Sequence, residues 1–173
     1  MIAPRKARGW SLVELVVVIL VLGMLAAFIG PLLVSTFSAY DMTSGTVSAY
    51  AKMRYAMERM EREIRDIRRS PADTTKFDIN AATLSATNFD FVKWDATAVK
   101  IDLNGTNVRV TYGATPGTLA DQASLLEMKY YRHDGTTETA AANNIEFVQI
   151  RMTLTDKANS YTSRVRVSLR TPQ

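Results

Sequence analysis

Glu14 is the residue whose chemistry most needs a partner. It stands at the edge of LVVVILVLGMLAAFIGPLLV, residues 15–34, a run of twenty residues without a charge. A carboxylate beside so much apolar surface is costly unless a cation meets it. Two readings are open: Glu14 marks a membrane–water interface, or it awaits a positive group on another chain. Elsewhere the reactive inventory is thin. The sequence has no cysteine, which excludes a disulfide scaffold, a thiolate metal site and a cysteine nucleophile. Its single histidine, His133, excludes a multi-histidine metal site and a two-histidine relay. His133 adjoins Asp134 in an Arg-His-Asp-Gly run that reads as an exposed turn rather than part of a triad. No dense Asp/Asn loop argues for a dedicated calcium site, which leaves at most a weak one built from scattered acids. The expectation is a chain with no catalytic constellation, no cofactor and no resident metal.

The charge distribution points the same way. The net charge is +4, but residues 1–9 hold Arg5, Lys6 and Arg8 and no acid, and so account for +3. Residues 10–70 carry seven basic and six acidic residues, and residues 71–173 carry eleven of each. A nucleic-acid-binding domain carries its excess on a folded surface, as a patch or stripe. Here the remainder is close to neutral, so nucleic acid is an improbable partner.

The element that positions Glu14 is the apolar run. At about 1.5 Å per residue, twenty residues span about 30 Å, the hydrocarbon thickness of a bilayer. Basic residues on its N-terminal side keep that side cytoplasmic and place the remainder across the membrane. A buried core helix of this length and uniformity is rare in a domain of this size. A cleaved secretory signal has a shorter apolar core, and here an amphipathic pattern continues beyond it. The segment reads as a retained membrane helix. Gly30-Pro31 interrupts it, and proline removes a backbone donor and crowds the preceding turn, so a kink or loosened turn is expected there.

These residues carry a family resemblance. Arg8-Gly9-Trp10-Ser11-Leu12-Val13-Glu14-Leu15, followed by the apolar run, resembles the N-terminus of type IV prepilins and type II secretion pseudopilins. The shared pattern is a short basic leader ending in glycine, a bulky residue, a few mostly apolar positions, glutamate and a transmembrane helix. The resemblance covers roughly the first 35 residues. It implies that Gly9 ends a leader (residues 1–9) cut off by a membrane prepilin peptidase. It implies that Trp10 becomes the new N-terminus and is N-methylated. It implies that Glu14 meets the N-terminal amine of a neighbouring subunit during filament assembly. Phenylalanine usually stands where this sequence has Trp10. Shorter stretches are similar to minor subunits of the J or W type (Tyr130-Tyr131, Asp134-Gly135, Ser168-Leu169-Arg170) and to a minor subunit of the mannose-sensitive haemagglutinin pilus (Ala39-Tyr40, residues 65–69). The partners implied are the peptidase, other pilins and an inner-membrane assembly platform. The location implied is the inner membrane, with a periplasmic head, and then a pilus or pseudopilus. A plain membrane-anchored binding module and a DNA-uptake pseudopilin are the rival readings.

Beyond the membrane helix (residues 10–34), residues 35–70 read as its amphipathic continuation. Met53, Met57, Met60, Ile64 and Ile67 are spaced 4, 3, 4 and 3, which is one helical face. Core packing is the favoured reading of this stripe, over a partner-binding groove. Gly45 loosens the middle, and Pro71 is the expected stop. Residues 71–173 change to a period of two. Strands are expected around Phe89–Val92, 99–103, 108–112, 126–132, 145–154 and 161–169, with Asn104-Gly105 as a hairpin turn. Residues 71–75 and 136–144 read as exposed loops. Arg164, Arg166 and Arg170 share one face of the last strand, either solvated or set for an acidic neighbour. The expected fold class is α+β: a long N-terminal helix packed on a C-terminal antiparallel sheet, the pilin-like layout that the resemblance also implies.

Overall fold

Ser11 sets where the first helix begins. Its side-chain Oγ accepts a hydrogen bond from the Glu14 amide at 3.2 Å, and its carbonyl receives the Leu15 amide at 3.2 Å. This is N-capping, in which a short polar side chain satisfies an otherwise unpaired amide of the first turn. The computed structural model describes residues 11–157 and 159–169. Helix α1 runs Leu12–Arg65. The chain forms two compact units, Met1–Ser44 and Gly45–Gln173.

In the first unit every described residue is exposed, including Leu20, Phe28 and Leu33. The helix is long and apolar enough to cross a membrane. It continues through Gly30 and Pro31 without interruption, so the expected loosened turn does not break the secondary structure. Pro31 withholds one donor, which leaves the Ala27 carbonyl without its usual partner four residues on. Nothing lies within 4 Å of where a Gly30 side chain would begin. Thr36 and Thr43 each turn their hydroxyl back onto a carbonyl of the preceding turn, Leu32 and Ala39, at 2.8 Å.

In the second unit the helix becomes two-sided. Met53, Met57, Met60 and Ile64 are buried and belong to the hydrophobic core. The stripe is therefore packing, as its spacing predicts. Gly45 opens this stretch: a side chain there would begin 2.7 Å from the Asp156 carboxylate.

The helix ends at Arg65, four residues before Arg69 and well short of Pro71. Tertiary pairing, rather than proline, ends it. The Asp66 and Ile67 amides tighten onto Glu63 and Ile64. The Arg68 amide then bonds the Val92 carbonyl, and the Trp94 amide bonds the Asp66 carbonyl, each at 3.0 Å. Ile67 and Arg69 pair as isolated bridges with Lys93 and Phe77. The Glu63 and Ile64 carbonyls, which would otherwise lack donors, are thus satisfied by the tightened last turn, and the Asp66 carbonyl by Trp94.

Among the described residues, seven antiparallel strands follow in two sheets. The first is β1 (Asn88–Val92), β2 (Ala98–Asn104), β3 (Asn107–Tyr112) and β4 (Thr115–Ala120), in that order. The second is β5 (Ala123–Tyr131), β6 (Phe147–Asp156) and β7 (Asn159–Ser168). The expected single sheet is thus two. β4 is also absent from the sequence reading, because Thr-Pro-Gly carries turn residues and only Leu119 and Ala120 are buried. Pro116 is tolerated because β4 is an edge. Asn104 ends β2 and pairs with Asn107, so the turn itself is Gly105-Thr106, with Gly105 at φ 61°. Residues 71–75 and most of 136–144 lie at the surface as expected, apart from buried Ala142 in a short 3-10 turn.

Alternation aims Phe89, Phe91, Val99, Ile101, Val108, Val110, Leu126, Met128, Val148, Ile150 and Met152 into one core with the helical stripe. Met60→Ala is expected to lower stability by about 2–5 kcal/mol through lost transfer energy and a residual cavity. Tyr55→Ala, on the 59% exposed side of the same helix, should stay within about 0.5 kcal/mol. Urea unfolding of the full chain in mild detergent measures both.

Candidate functional site

Gly9 and Trp10 lie outside the described residues. Glu14 is exposed and occupies the third position of α1. With Ser11 it forms an S-x-x-E pattern, the sequence signature of a capping box. That signal is visible in the sequence and gives Glu14 a local role that the initial reading passes over. A carboxylate in a first turn also complements the positive end of the helix, by about 0.3–1 kcal/mol. A capped start, a carboxylate one turn in and a long exposed apolar surface therefore share the first unit.

The second unit holds a charge cluster that the sequence does not announce. Glu63 is 2% exposed. Its Oε1 receives the Tyr112 hydroxyl at 2.8 Å and faces the Arg59 guanidinium at 2.9 Å. Arg59 also donates to the Tyr112 oxygen at 2.7 Å. Lys93 lies 3.1 Å from Glu63 Oε2 and 3.1 Å from Asp66 Oδ2. The cluster joins the last turns of α1 to the end of β3 and to the β1–β2 connection. Burial alone opposes the charged form of Lys93, but the bonds to Asp66 and Glu63 outweigh it and raise its pKa. Burial, together with the bond to Glu63, pushes the Tyr112 hydroxyl up. In the helical pattern Glu63 reads as one more surface acid. Only the pairing of Tyr112 and Lys93, thirty or more residues away, shows that it is inside.

A second buried acid, Asp102, lies across from Arg109, which donates to its two oxygens at 3.0 and 2.7 Å. Burial raises the pKa of Asp102, but the Arg109 bonds and the Lys100 charge prevail and hold it below the ordinary value. In both clusters each acid is met by cations, Glu63 by Arg59 and Lys93 and Asp102 by Arg109 and Lys100. They hold elements in place and present no poised acid–base pair.

His133 is exposed, as its turn setting predicts. Asp134 is occupied by the amides of Thr136 and Thr137 at 2.9 Å and the Thr137 hydroxyl at 2.5 Å. Those bonds, the Thr137 hydroxyl's first, hold its carboxyl at about 2. Among the described residues no group of three or more acidic or histidine side chains gathers where a metal ion could be held. No family model matches the chain, and no curated protein matches it in sequence.

Two outcomes are expected. Glu63→Ala should cost about 3–5 kcal/mol, because it leaves Arg59 and Lys93 without their buried counter-charge; Glu63→Gln, which keeps an acceptor for Tyr112, should cost less in the same urea titration. Because the folded pKa of Asp134 is depressed, its contribution is full above 3.8 and is lost as pH falls through about 2. Carboxyl NMR titration should place its midpoint near 2 and show it rise in Thr137→Val.

Proposed function

We propose that this chain is a minor pilin or pseudopilin, a structural subunit of a type IV pilus or a type II secretion pseudopilus. The observation that carries the reading is Glu14 in the first turn of a helix whose next twenty residues are uncharged and exposed. Water is a poor solvent for that surface, and a bilayer or the matching helices of other subunits are good ones. The second support is the layout of the head, in which the amphipathic end of the helix packs against antiparallel sheets.

In this reading the chain waits as a single-pass inner-membrane protein, with its basic end cytoplasmic and its head periplasmic. The prepilin peptidase cuts after Gly9, and Trp10 becomes a methylated N-terminus. Cleavage creates a cation. Assembly brings that cation close to Glu14 of a neighbour, where water is scarce and the attraction of unit charges at 4 Å reaches about 4 kcal/mol for an effective dielectric constant of 20. Helix burial supplies most of the association energy, and the charge pair fixes register. The inner-membrane platform and its cytoplasmic motor supply the work, so the chain itself needs no nucleotide site.

Intact mass and N-terminal sequencing, with and without a co-expressed prepilin peptidase from a pilus system, test this directly. The expected product lacks residues 1–9 and carries one methyl group on Trp10. Glu14→Gln should be cut normally yet enter filaments at least tenfold less, since a neutral amide keeps the local geometry without the charge. A chain left uncut by every peptidase tried would favour the membrane-anchored module.

A further inference from the structure

A β-sheet has two edges, and each edge is a row of unpaired amides and carbonyls unless something covers it. Among the described residues this unit has four such edges: two are covered by backbone pairing, and a third is blunted by proline and a register shift. Along β1, the Asn80 and Val92 amides bond Asp90 and Asp78 carbonyls at 2.9 and 3.0 Å, and Ile79 bridges to Phe91. β4 carries Pro116 and meets β3 through a register shift at Val108/Arg109. Along β5, the Met128 amide bonds Ala86 and the Thr139 amide bonds Tyr130, and Tyr131 bridges to Glu138.

β7 is different. It is ten residues long, contains no proline and pairs with β6 in unbroken register from Asp156↔Asn159 to Phe147↔Ser168. Among the described residues, no backbone hydrogen bond reaches its outer edge. Its core-facing residues are also less covered than those of β6. Tyr161, Ser163 and Val165 are only half-buried, whereas Leu154, Met152 and Ile150 opposite them are buried.

The solvent face of this edge is basic. Arg164 lies directly across from Arg151. Arg151 is paired with Glu127 at 2.7 Å. Arg166 is held by the Gly135 carbonyl at 2.8 Å and stacks 4.2 Å over the Tyr131 ring. Arg164 is exposed and has no acid within ion-pair distance among the described residues. Like charges directly across a strand pair are destabilising, so this arrangement leaves a cation with something to gain.

We propose that the outer edge of β7 receives an extended acidic segment of a different polypeptide as a fourth strand of the β5–β6–β7 sheet. Main-chain hydrogen bonds along the edge would supply affinity. Acidic side chains on alternate residues would lie beside Arg164, and small apolar ones on the other face would cover Val165. A second copy of this chain is the poorer occupant. Antiparallel pairing of β7 with itself would set arginine rows side by side. The inference uses only the head unit and does not rest on the pilin reading.

The probe is a synthetic peptide of about ten residues alternating Glu with Thr or Val, added to the full chain in detergent. A second peptide has Lys in place of Glu. A third repeats the acidic one with alternate backbone amides N-methylated, which keeps the charge and forbids strand addition. The acidic peptide should bind and slow amide hydrogen exchange in β7 at least tenfold. N-methylation should weaken it at least tenfold. Arg164→Glu, an exposed substitution that spares the core, should reverse the preference toward the lysine peptide. Acidic-peptide binding that survives N-methylation, binding without protection in β7, or no binding at millimolar peptide would each overturn the proposal. So would a concentration-dependent dimer that protects β7 by itself.

Discussion

The head depends on one stripe of a helix. β1–β4 and β5–β7 are separate sheets with no strand in common, and their inner faces need a shared partner. Met53, Met57, Met60 and Ile64 provide it, since they join residues from both sheets in a single core cluster. Methionine suits this position, because an unbranched, polarisable side chain fills gaps between surfaces of different curvature. Shortening one of these side chains would open space between three elements at once. The residues of α1 thus have two characters, exposed and apolar in the first unit and part of the core in the second.

Charge then fixes how that packing is aligned. At Glu63, between the core residues Met60 and Ile64, the helix also meets polar strand ends. Arg59, Tyr112 and Lys93 converge there, and the next residues leave the helix to pair with Val92 and Lys93 at the end of β1 and with Phe77. A buried ion cluster stabilises little over an apolar replacement, and its better-attested use is to specify one register. Glu63 can satisfy these three partners only when the last helical turn sits over Tyr112 and Lys93. Sliding the helix by one turn would bury the carboxylate without them. The apolar stripe gives the attraction, and the cluster makes one alignment the cheapest.

Which parts could be read from the sequence follows from how local their causes are. The spacing of Met53, Met57, Met60 and Ile64 and the alternation of β2 and β3 are set by neighbours within a few residues and stand where the pattern puts them, while the hairpin turn falls one residue later, at Gly105-Thr106, and Ile67 lies past the helix end, though still in the core. The end of α1 does not. Arg65 to Arg69 has helical composition, and what ends the helix is Val92, Lys93 and Phe77, brought in by the fold. β4 was hidden because an edge strand tolerates Pro116 and Gly117, the residues that usually argue against a strand. The division into two sheets depends on long-range pairing with no local signature. At the N-terminal site, the carboxylate and the apolar run are legible, and the S-x-x-E spacing of Ser11 and Glu14 is the local signal for the cap. The Glu63 cluster was illegible, because an acid four residues from an arginine on a helix looks the same whether it faces solvent or core.

The contrast between the two compact units carries a further physical consequence. In the head, the exposed α1 residues Arg54, Glu58 and Arg65 are charged and pair along the helix, Arg54 with Glu58 and Arg65 with the half-buried Glu61. In the first unit, positions of equal exposure are valine, leucine, isoleucine and phenylalanine. One helix thus presents two surfaces suited to two solvents, and the change falls near Ser44 and Gly45, where the units divide. Burying the apolar surface at about 25 cal/mol per Å² is worth far more than any single ion pair, so the environment of the first unit decides the environment of the whole chain. Glu14 is the exception within that surface. Apolar matching alone would leave its charge unsatisfied, so whatever covers this surface must either keep Glu14 in water or supply a counter-charge.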